Sequence, residues 1–359
     1  MVLFSNIFEI SHNKHNTISS MEGMRGFAVL LVFLVHYMTL VEPWLLFDSL
    51  VYKIALYGRQ IGNVGVDLFF VLSGYLIYGV LINKKILFGK YIARRVQRIY
   101  PVFSVVFFIY VLLSFVFSNE SKIPNDWVGA LIYIFQNYFL LPGIFDIKPI
   151  VTVAWSLSYE FFYYFAMPFL VVILSMQSWQ PKFRFIFFIL LSILAFGCSF
   201  FYGGHIRLLM FMPGVLVFEC LNNIFLKKRP PFGILFLCFV LITPLVFNYY
   251  QFNGVWKYFL LYVFLFLFFL DCFCRGSFTY KLFSLKYIRW LGNMSYSYYL
   301  IHGLALKAFF MLLSFYYPAS QDSNSLLWVL IVPSFMITLL PSVFLFVFVE
   351  KPYSLSYAK

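Results

Sequence analysis

The chain has 359 residues, of which 63% are hydrophobic and 11% charged, and its mean hydropathy is +0.89. Soluble domains are roughly 45–50% apolar and about a quarter charged, so a water-soluble globule is excluded and an all-α polytopic integral membrane protein is expected. The net charge is +13, but the basic residues fall in short clusters between apolar runs. That excludes a nucleic-acid surface and fits the Lys/Arg excess of cytoplasmic loops.

Residues 1–20 read as a short cytoplasmic segment. No small-residue cleavage site follows the first apolar run, so that run is expected to stay as a membrane helix. Runs of about 17–25 apolar residues mark membrane helices. Ten lie near 24–41, 62–82, 99–118, 152–175, 184–202, 205–222, 231–248, 255–272, 291–314 and 326–350. Lys84, Lys85, Lys90, Arg94, Arg95 and Arg98 separate the second from the third. Lys182 and Arg184 follow the fourth, and Lys227, Lys228 and Arg229 follow the sixth. Arg275, Lys281, Lys286 and Arg289 follow the eighth, and Lys351 and Lys359 follow the tenth. The alternate loops hold only scattered charges such as Glu42, Asp48, Glu120, Asp126 and Asp322. This alternation places both termini in the cytoplasm.

The longest outer segment, about 119–151, contains "DWVGALIYIFQNYFLLP" and predicts a re-entrant or interfacial helix. No internal repeat or flexible linker divides the chain, so 1–359 reads as a single membrane domain. Cys198, Cys220, Cys238, Cys272 and Cys274 lie in apolar runs or at their ends. They read as small apolar residues, and neither a disulfide framework nor a metal site is expected.

The first run, "RGFAVLLVFLVH", carries Arg25 at one end and His36 at the other. Eleven steps of about 100° bring both onto one helix face, about 16 Å apart along the axis. Arg25 reads either as an anchor at the cytoplasmic mouth or as a functional cation, and Glu22 is placed to pair with it. His36 reads as an interhelical hydrogen bond or as a base. Asp67, Glu160 and His302 also fall inside apolar runs. Ionisable groups there are costly against lipid and are expected to line a common polar interior.

Histidine is the natural general base near neutral pH, and a carboxylate can orient it by accepting its second N–H. Asp67 and Glu160 are the candidates for that task, with a helix cap as the blander role for Asp67. His302 reads as a second proton carrier, a substrate ligand or a packing residue. In "KYIARRVQRIYP", Arg95 and Arg98 share a face if helical. Their guanidinium groups suit bidentate phosphate recognition or anionic lipid headgroups.

Six stretches in order resemble the acyltransferase-3 family of integral membrane acyltransferases: "MEGMRGFAVLLVFLVH", "GNVGVDLFFVLSGYLI", "RRVQRIYP", "WSLSYEFFYYF", "SYSYYLIH" and "FVEKPYS". Asn63 stands where an aromatic residue is common in the family, and Glu22 where aspartate is more usual. The resemblance implies acyl transfer, usually of acetyl from acetyl-CoA, to a hydroxyl of a cell-envelope carbohydrate. It implies that Arg25 and His36 form the essential pair and that Arg95 and Arg98 serve the cytoplasmic acyl-CoA. It further implies that Asp67, Ser73, Gly74, Tyr75 and Glu160 shape the core. Acyl-CoA would be a co-substrate, not a resident cofactor. A carbohydrate or lipid-linked glycan would be the acceptor, and the inner membrane the site of action.

Larger members of the family add a soluble extracytoplasmic esterase-like domain. With none after Lys359, the chain is expected to complete transfer within the membrane or to pass the acyl group to a partner. Direct attack by the acceptor and transfer through an acyl-enzyme are both open, and the direct route needs fewer assumptions. A transporter or flippase of a lipid-linked saccharide is the competing class, and it would need no CoA site at Arg95 and Arg98. A structural scaffold would leave the intramembrane His and Glu unexplained. The charge alternation predicts that reporter fusions after Lys90, Lys228 and Lys281 all read as cytoplasmic. An outside signal at any of these three positions contradicts the topology.

Overall fold

The computed structural model describes residues 8–9, 19–223, 232–250, 254–320 and 322–355. Most of the segment 1–20, the cluster Lys227, Lys228 and Arg229, and Lys359 lie outside the described residues. Among the described residues the elements are helices, with no strand. The first two spans comprise α1 (Ser19–Val41), α2 (Leu50–Gly62) and α3 (Val64–Asn83). They lead to α4 (Phe88–Val116), α5 (Trp127–Tyr138), α6 (Ala154–Ile173) and α7 (Pro181–Tyr202). A 3-10 turn (Ile206–Phe211) opens α8 (Met212–Asn223), and α9 (Gly233–Tyr249) and α10 (Gly254–Cys272) follow. Short helices α11 (Phe278–Phe283) and α12 (Lys286–Asn293) precede α13 (Ser295–Tyr316). The chain then forms α14 (Leu326–Val329), α15 (Ile331–Leu345) and a π-helical end (Phe346–Ser354).

All ten apolar runs fall on helices. Among the described residues, eight helical stretches are long and apolar enough to cross a membrane. The sixth run is broken because Pro213 lacks an N–H and fits only the first turn of α8, so a 3-10 turn precedes it. The seventh is α9, with 17 residues. The second span is longer than hydropathy alone predicts, since α2 leads into α3 across Asn63 to make a stretch of 34 residues. Lys53 and Arg59 keep α2 out of the apolar run, and Ser49 caps it by accepting the Tyr52 N–H at 3.1 Å. The outer segment forms α5, capped by Asp126 on the Gly129 N–H at 2.6 Å. It exposes Trp127, Val128, Leu131, Ile132 and Phe135. That spacing is one apolar face, as an interfacial helix requires.

α1 is the central element, packed on α2, α3, α12 and α13. Its contact with α12 is backbone on backbone, because a Cβ on Gly292 would lie 1.7 Å from the Glu22 carbonyl oxygen. A Cβ on Gly26 would lie 2.1 Å from the Ile288 carbonyl oxygen. Small residues allow such an approach between membrane helices. Gly74 does the same for α3, whose Cβ would lie 2.0 Å from the Phe211 carbonyl oxygen. Farther out, Arg184 donates to both oxygens of Glu219 at 2.6 and 3.2 Å. Its remaining donors reach the Trp179 and Met176 carbonyls, and the Tyr78 hydroxyl also donates to Glu219. This fully bonded buried pair ties α7 and α8 to α3. The outer face of α7 presents Ile186, Leu190, Ile193 and Phe201.

Gly292→Ala must push α12 away from α1, and overpacking of this kind typically costs about 1–3 kcal/mol. It is expected to lower the thermal midpoint of the detergent-purified protein and the yield of monodisperse material. Gly197→Ala meets nothing within 4 Å and is expected to be neutral or slightly stabilising. Equal behaviour of the two variants contradicts the close approach.

Candidate active site

A cavity of about 100 Å³ lies among α1, α3, α4, α6 and α13. A single water needs about 10–15 Å³ on this measure, so the space admits a small acyl group. Its polar lining includes Arg25, Ser73, Arg98, Glu160, Tyr164 and Tyr296. Residues from five helices meet here, as expected of ionisable groups that cannot face lipid.

Arg98 lies in one unbroken helix with the third span, because α4 begins at Phe88. Its Nη1 donates to Glu350 Oε1 at 2.8 Å, and its guanidinium lies 5.5 Å from the centre of the Tyr296 ring. Glu350 is fully buried, and its Oε2 accepts the Ser297 backbone N–H at 3.0 Å and hydroxyl at 2.6 Å. The π-helical turn containing Pro352 brings this carboxylate inward. Arg95 lies one turn earlier, 5.2 Å from the ring centres of both Tyr91 and Tyr164. Of the two arginines, Arg98 therefore lines the cavity and Arg95 flanks it.

Arg25 lines the cavity as well. Among the described residues no hydrogen bond or ion pair holds its guanidinium. The partner expected for it, Glu22, accepts from Arg289 at 2.8 Å instead. The cavity thus carries a cation that the fold leaves available to an anionic or carbonyl ligand.

Glu160 faces Arg25 and Arg98 across the same cavity. Its Oε1 accepts from Ser73 Oγ at 3.1 Å and from the Tyr164 hydroxyl at 2.6 Å. Tyr75, two residues beyond Ser73, is not part of the lining. Its ring packs on Phe218 and Phe273 at 5.4 and 5.1 Å.

The other expected carboxylate lies elsewhere. Asp67 is buried and ion-paired with Arg207, whose Nε and Nη2 lie 3.2 and 3.3 Å from its oxygens. The Arg207 guanidinium also donates to the Asn63 carbonyl at 2.9 Å and sits near the rings of Trp155 and Tyr258. The N-cap of α3 is Asn63, so Asp67 does not cap that helix. It joins α3 to the 3-10 turn before α8.

The ring facing His36 is that of His302, with centroids 4.9 Å apart in an edge-to-face arrangement. His302 is fully buried, and its Nδ1 lies 2.9 Å from the Tyr298 carbonyl oxygen. Neither Asp67 nor Glu160 is hydrogen-bonded to His36 among the described residues. The histidine pair lies just beyond the cavity, since Tyr299 lines the cavity and its ring is 6.2 Å from that of His302.

The cavity joins Arg25, Ser73, Arg98 and Glu160, which the sequence had given separate donor, core and catalytic roles, while His36, Asp67 and His302, expected to share an interior with Glu160, do not line it. Glu350, Tyr164, Tyr296 and Arg207 were missed. Glu350 had a signal, a carboxylate closing an apolar run inside the quoted "FVEKPYS". Arg207 had a similar one, a cation opening the sixth run. The tyrosines had none among 27 in the chain.

The described residues form an all-α bundle in which Arg25, Arg98 and Glu160 gather on one cavity. Residues 18–347 match the acyltransferase domain that defines the acyltransferase-3 family, and the chain belongs to that family. It is similar to the peptidoglycan O-acetyltransferase OatA of Listeria monocytogenes, 26% identical over 79% of this chain and 49% of the relative. It is also similar to the O-acetyltransferase OatA of Staphylococcus aureus, 30% identical over 45% of this chain and 26% of the relative. An uncharacterized protein of Haemophilus influenzae is 25% identical over 42% of the chain and 66% of its own length. The chain spans about half the length of the Listeria relative. No solved structure matches it.

Proposed function

We propose that the protein is an O-acetyltransferase of the inner membrane that moves acetyl from cytoplasmic acetyl-CoA to a hydroxyl of an envelope carbohydrate. The observation that carries this reading is the order of groups along α1. An available arginine lines the cavity, and a histidine farther along the same helix packs on His302, which touches the cavity-lining Tyr299. The names of the Listeria and Staphylococcus relatives support acetyl as the group and a cell-wall glycan as the kind of acceptor. The basic loops support a donor side that is cytoplasmic, with both termini there.

Arg95 and Arg98 suit the phosphate-bearing end of the donor, because a guanidinium binds a phosphate with two parallel hydrogen bonds. Arg25, lacking a partner, suits the thioester carbonyl, where negative charge grows during attack. His36 takes the proton of the acceptor hydroxyl, and the acceptor oxygen bonds to the acetyl carbon. The carbon–sulfur bond then breaks, and CoA leaves as a thiolate that takes up a proton from water. His36 returns its proton to solvent on the acceptor side. Glu160, held by Ser73 and Tyr164, places a negative charge in the same lining as Arg25.

Two variants separate donor binding from chemistry. Arg98→Lys keeps a cation beside Glu350 but loses the fork, so it and Arg95→Ala are expected to weaken CoA binding to the purified protein. A positioned base contributes about 10²–10⁴-fold. His36→Ala is therefore expected to bind CoA as wild type does and to lose glycan acetylation by at least about 10²-fold in membranes of matched expression. Near-normal acetylation by His36→Ala contradicts the assignment of the base. Unchanged CoA binding in Arg95→Ala and Arg98→Lys contradicts the donor site.

A further inference from the structure

We infer that His302 is the positioning residue for His36, fixing which of its ring nitrogens is free to take the acceptor's proton. The inference rests on the reading of His36 as the base and assigns its partner, a role that carboxylates usually fill.

The argument begins with a carbonyl oxygen, which can only accept. His302 Nδ1 lies 2.9 Å from the Tyr298 oxygen, so Nδ1 carries the hydrogen. In a neutral imidazole the other nitrogen, Nε2, is then a bare lone pair. Nε2 is buried and has no hydrogen-bond partner among the described residues. A buried acceptor left unmatched is rare and marks a place where a donor is expected.

Protonation cannot satisfy it cheaply. A second proton would make His302 a cation in a fully buried site, beside another imidazole and with no carboxylate bonded to it. Of the rings that touch His302, one carries a donor without another partner among the described residues. The His302 ring stacks on Tyr298 with centroids 5.2 Å apart and an interplanar angle of 11°. The Tyr298 hydroxyl is already engaged with Thr338 Oγ1 at 2.8 Å. The Tyr299 hydroxyl is engaged with Ser156 at 2.7 Å and the Val153 carbonyl at 3.2 Å. His36 meets the His302 ring edge to face at 4.9 Å. His36 has no other hydrogen-bond partner among the described residues, so one of its N–H groups is free to donate to Nε2.

When His36 donates to His302 Nε2, its own second nitrogen becomes the lone pair that can act as a base. The hydrogen bond made by one ring nitrogen sets the state of the other. Catalytic hydrogen bonds are often long without substrate and tighten in the complex, and on this proposal the His36–His302 bond closes when substrate is bound. The contact also keeps the positive charge that forms on His36 next to a lone pair, without placing a permanent negative charge in the membrane.

The experiment uses variants that differ in where they put an acceptor. His302→Gln places an amide oxygen near the Nε2 position, His302→Asn reaches only the Nδ1 position, and His302→Leu removes both. Transfer from radiolabelled acetyl-CoA to envelope glycan is followed in membranes of matched expression, with CoA binding measured on purified protein. His302→Leu and His302→Asn are expected to lower kcat by about 10–10²-fold, a part of what a positioned base supplies. The KM for acetyl-CoA is expected to stay unchanged, and His302→Gln is expected to recover most of the rate. His36→Ala/His302→Leu is expected to be no slower than His36→Ala, as for groups acting as a unit. The proposal is overturned if all three variants transfer at the wild-type rate, or if Gln is as slow as Leu in protein that still binds CoA. If His36→Ala itself transfers normally, the reading of the base has failed, and the role of His302 falls with it.

Discussion

The close approach of α1 to α12 is the constraint on which the arrangement of the site depends. Gly26 meets Gly292 and Ile288 backbone to backbone, which fixes the register between the first span and the segment leading into the ninth. Ten residues farther along α1 is His36, and ten residues beyond Gly292 is His302. Their rings are in contact. Equal steps along both segments mean that the two run side by side in one direction, so the glycine contact at one level sets the histidine contact at the next. A side chain at either glycine would force the two backbones apart, since its Cβ would lie 1.7 or 2.1 Å from a carbonyl oxygen. The packing that stabilises this part of the bundle therefore also aligns its chemistry.

A second constraint is the penalty for charge in hydrocarbon. Arg98 is answered by Glu350, Arg207 by Asp67, and Arg184 by Glu219. Each of these pairs joins elements far apart in sequence, and each is close enough for direct hydrogen bonding. Breaking such a pair on one side typically costs about 3–5 kcal/mol, since it strands the other charge. Arg25 stands apart from this pattern. It lines the cavity without an ion pair among the described residues, with Glu160 and Arg98 in the same lining. Arg95, which flanks the cavity, likewise has only aromatic contacts among the described residues, so two arginines without an ion pair lie side by side at this site.

The legible part of the structure was the part encoded locally. Apolar runs marked the helices because a span must bury its backbone within itself. The eleven-residue step from Arg25 to His36 placed both on one face of α1 because helical geometry is fixed. The idea that buried charges share an interior grouped Glu160 with His36, Asp67 and His302, but of these only Glu160 lines the cavity, where it meets Arg25, Ser73 and Arg98. Partners were not legible. Glu160 and Asp67 were equally good candidates to hold His36, yet one binds Ser73 and Tyr164 and the other binds Arg207. Those choices depend on contacts 87 and 140 residues apart in sequence, which no local pattern carries. The α2 helix was hidden for a different reason. Lys53 and Arg59 lower its hydropathy, although its capping by Ser49 is local and could have been read.

The family assignment makes the chain a membrane acyltransferase, and in the function proposed for it donor and acceptor approach from opposite ends of one polar interior. The central claim is that the acyl group enters the cavity lined by Arg25, Ser73 and Glu160. A photoreactive acyl-CoA analogue, with the reactive group on the acyl chain, tests it most directly. After irradiation of the purified protein and digestion, the account predicts adducts on the cavity-lining peptides of α3, α6 and α13, and their loss when excess CoA competes. Adducts confined to the cluster around Arg207 and Tyr258, or adducts that CoA does not displace, would contradict it.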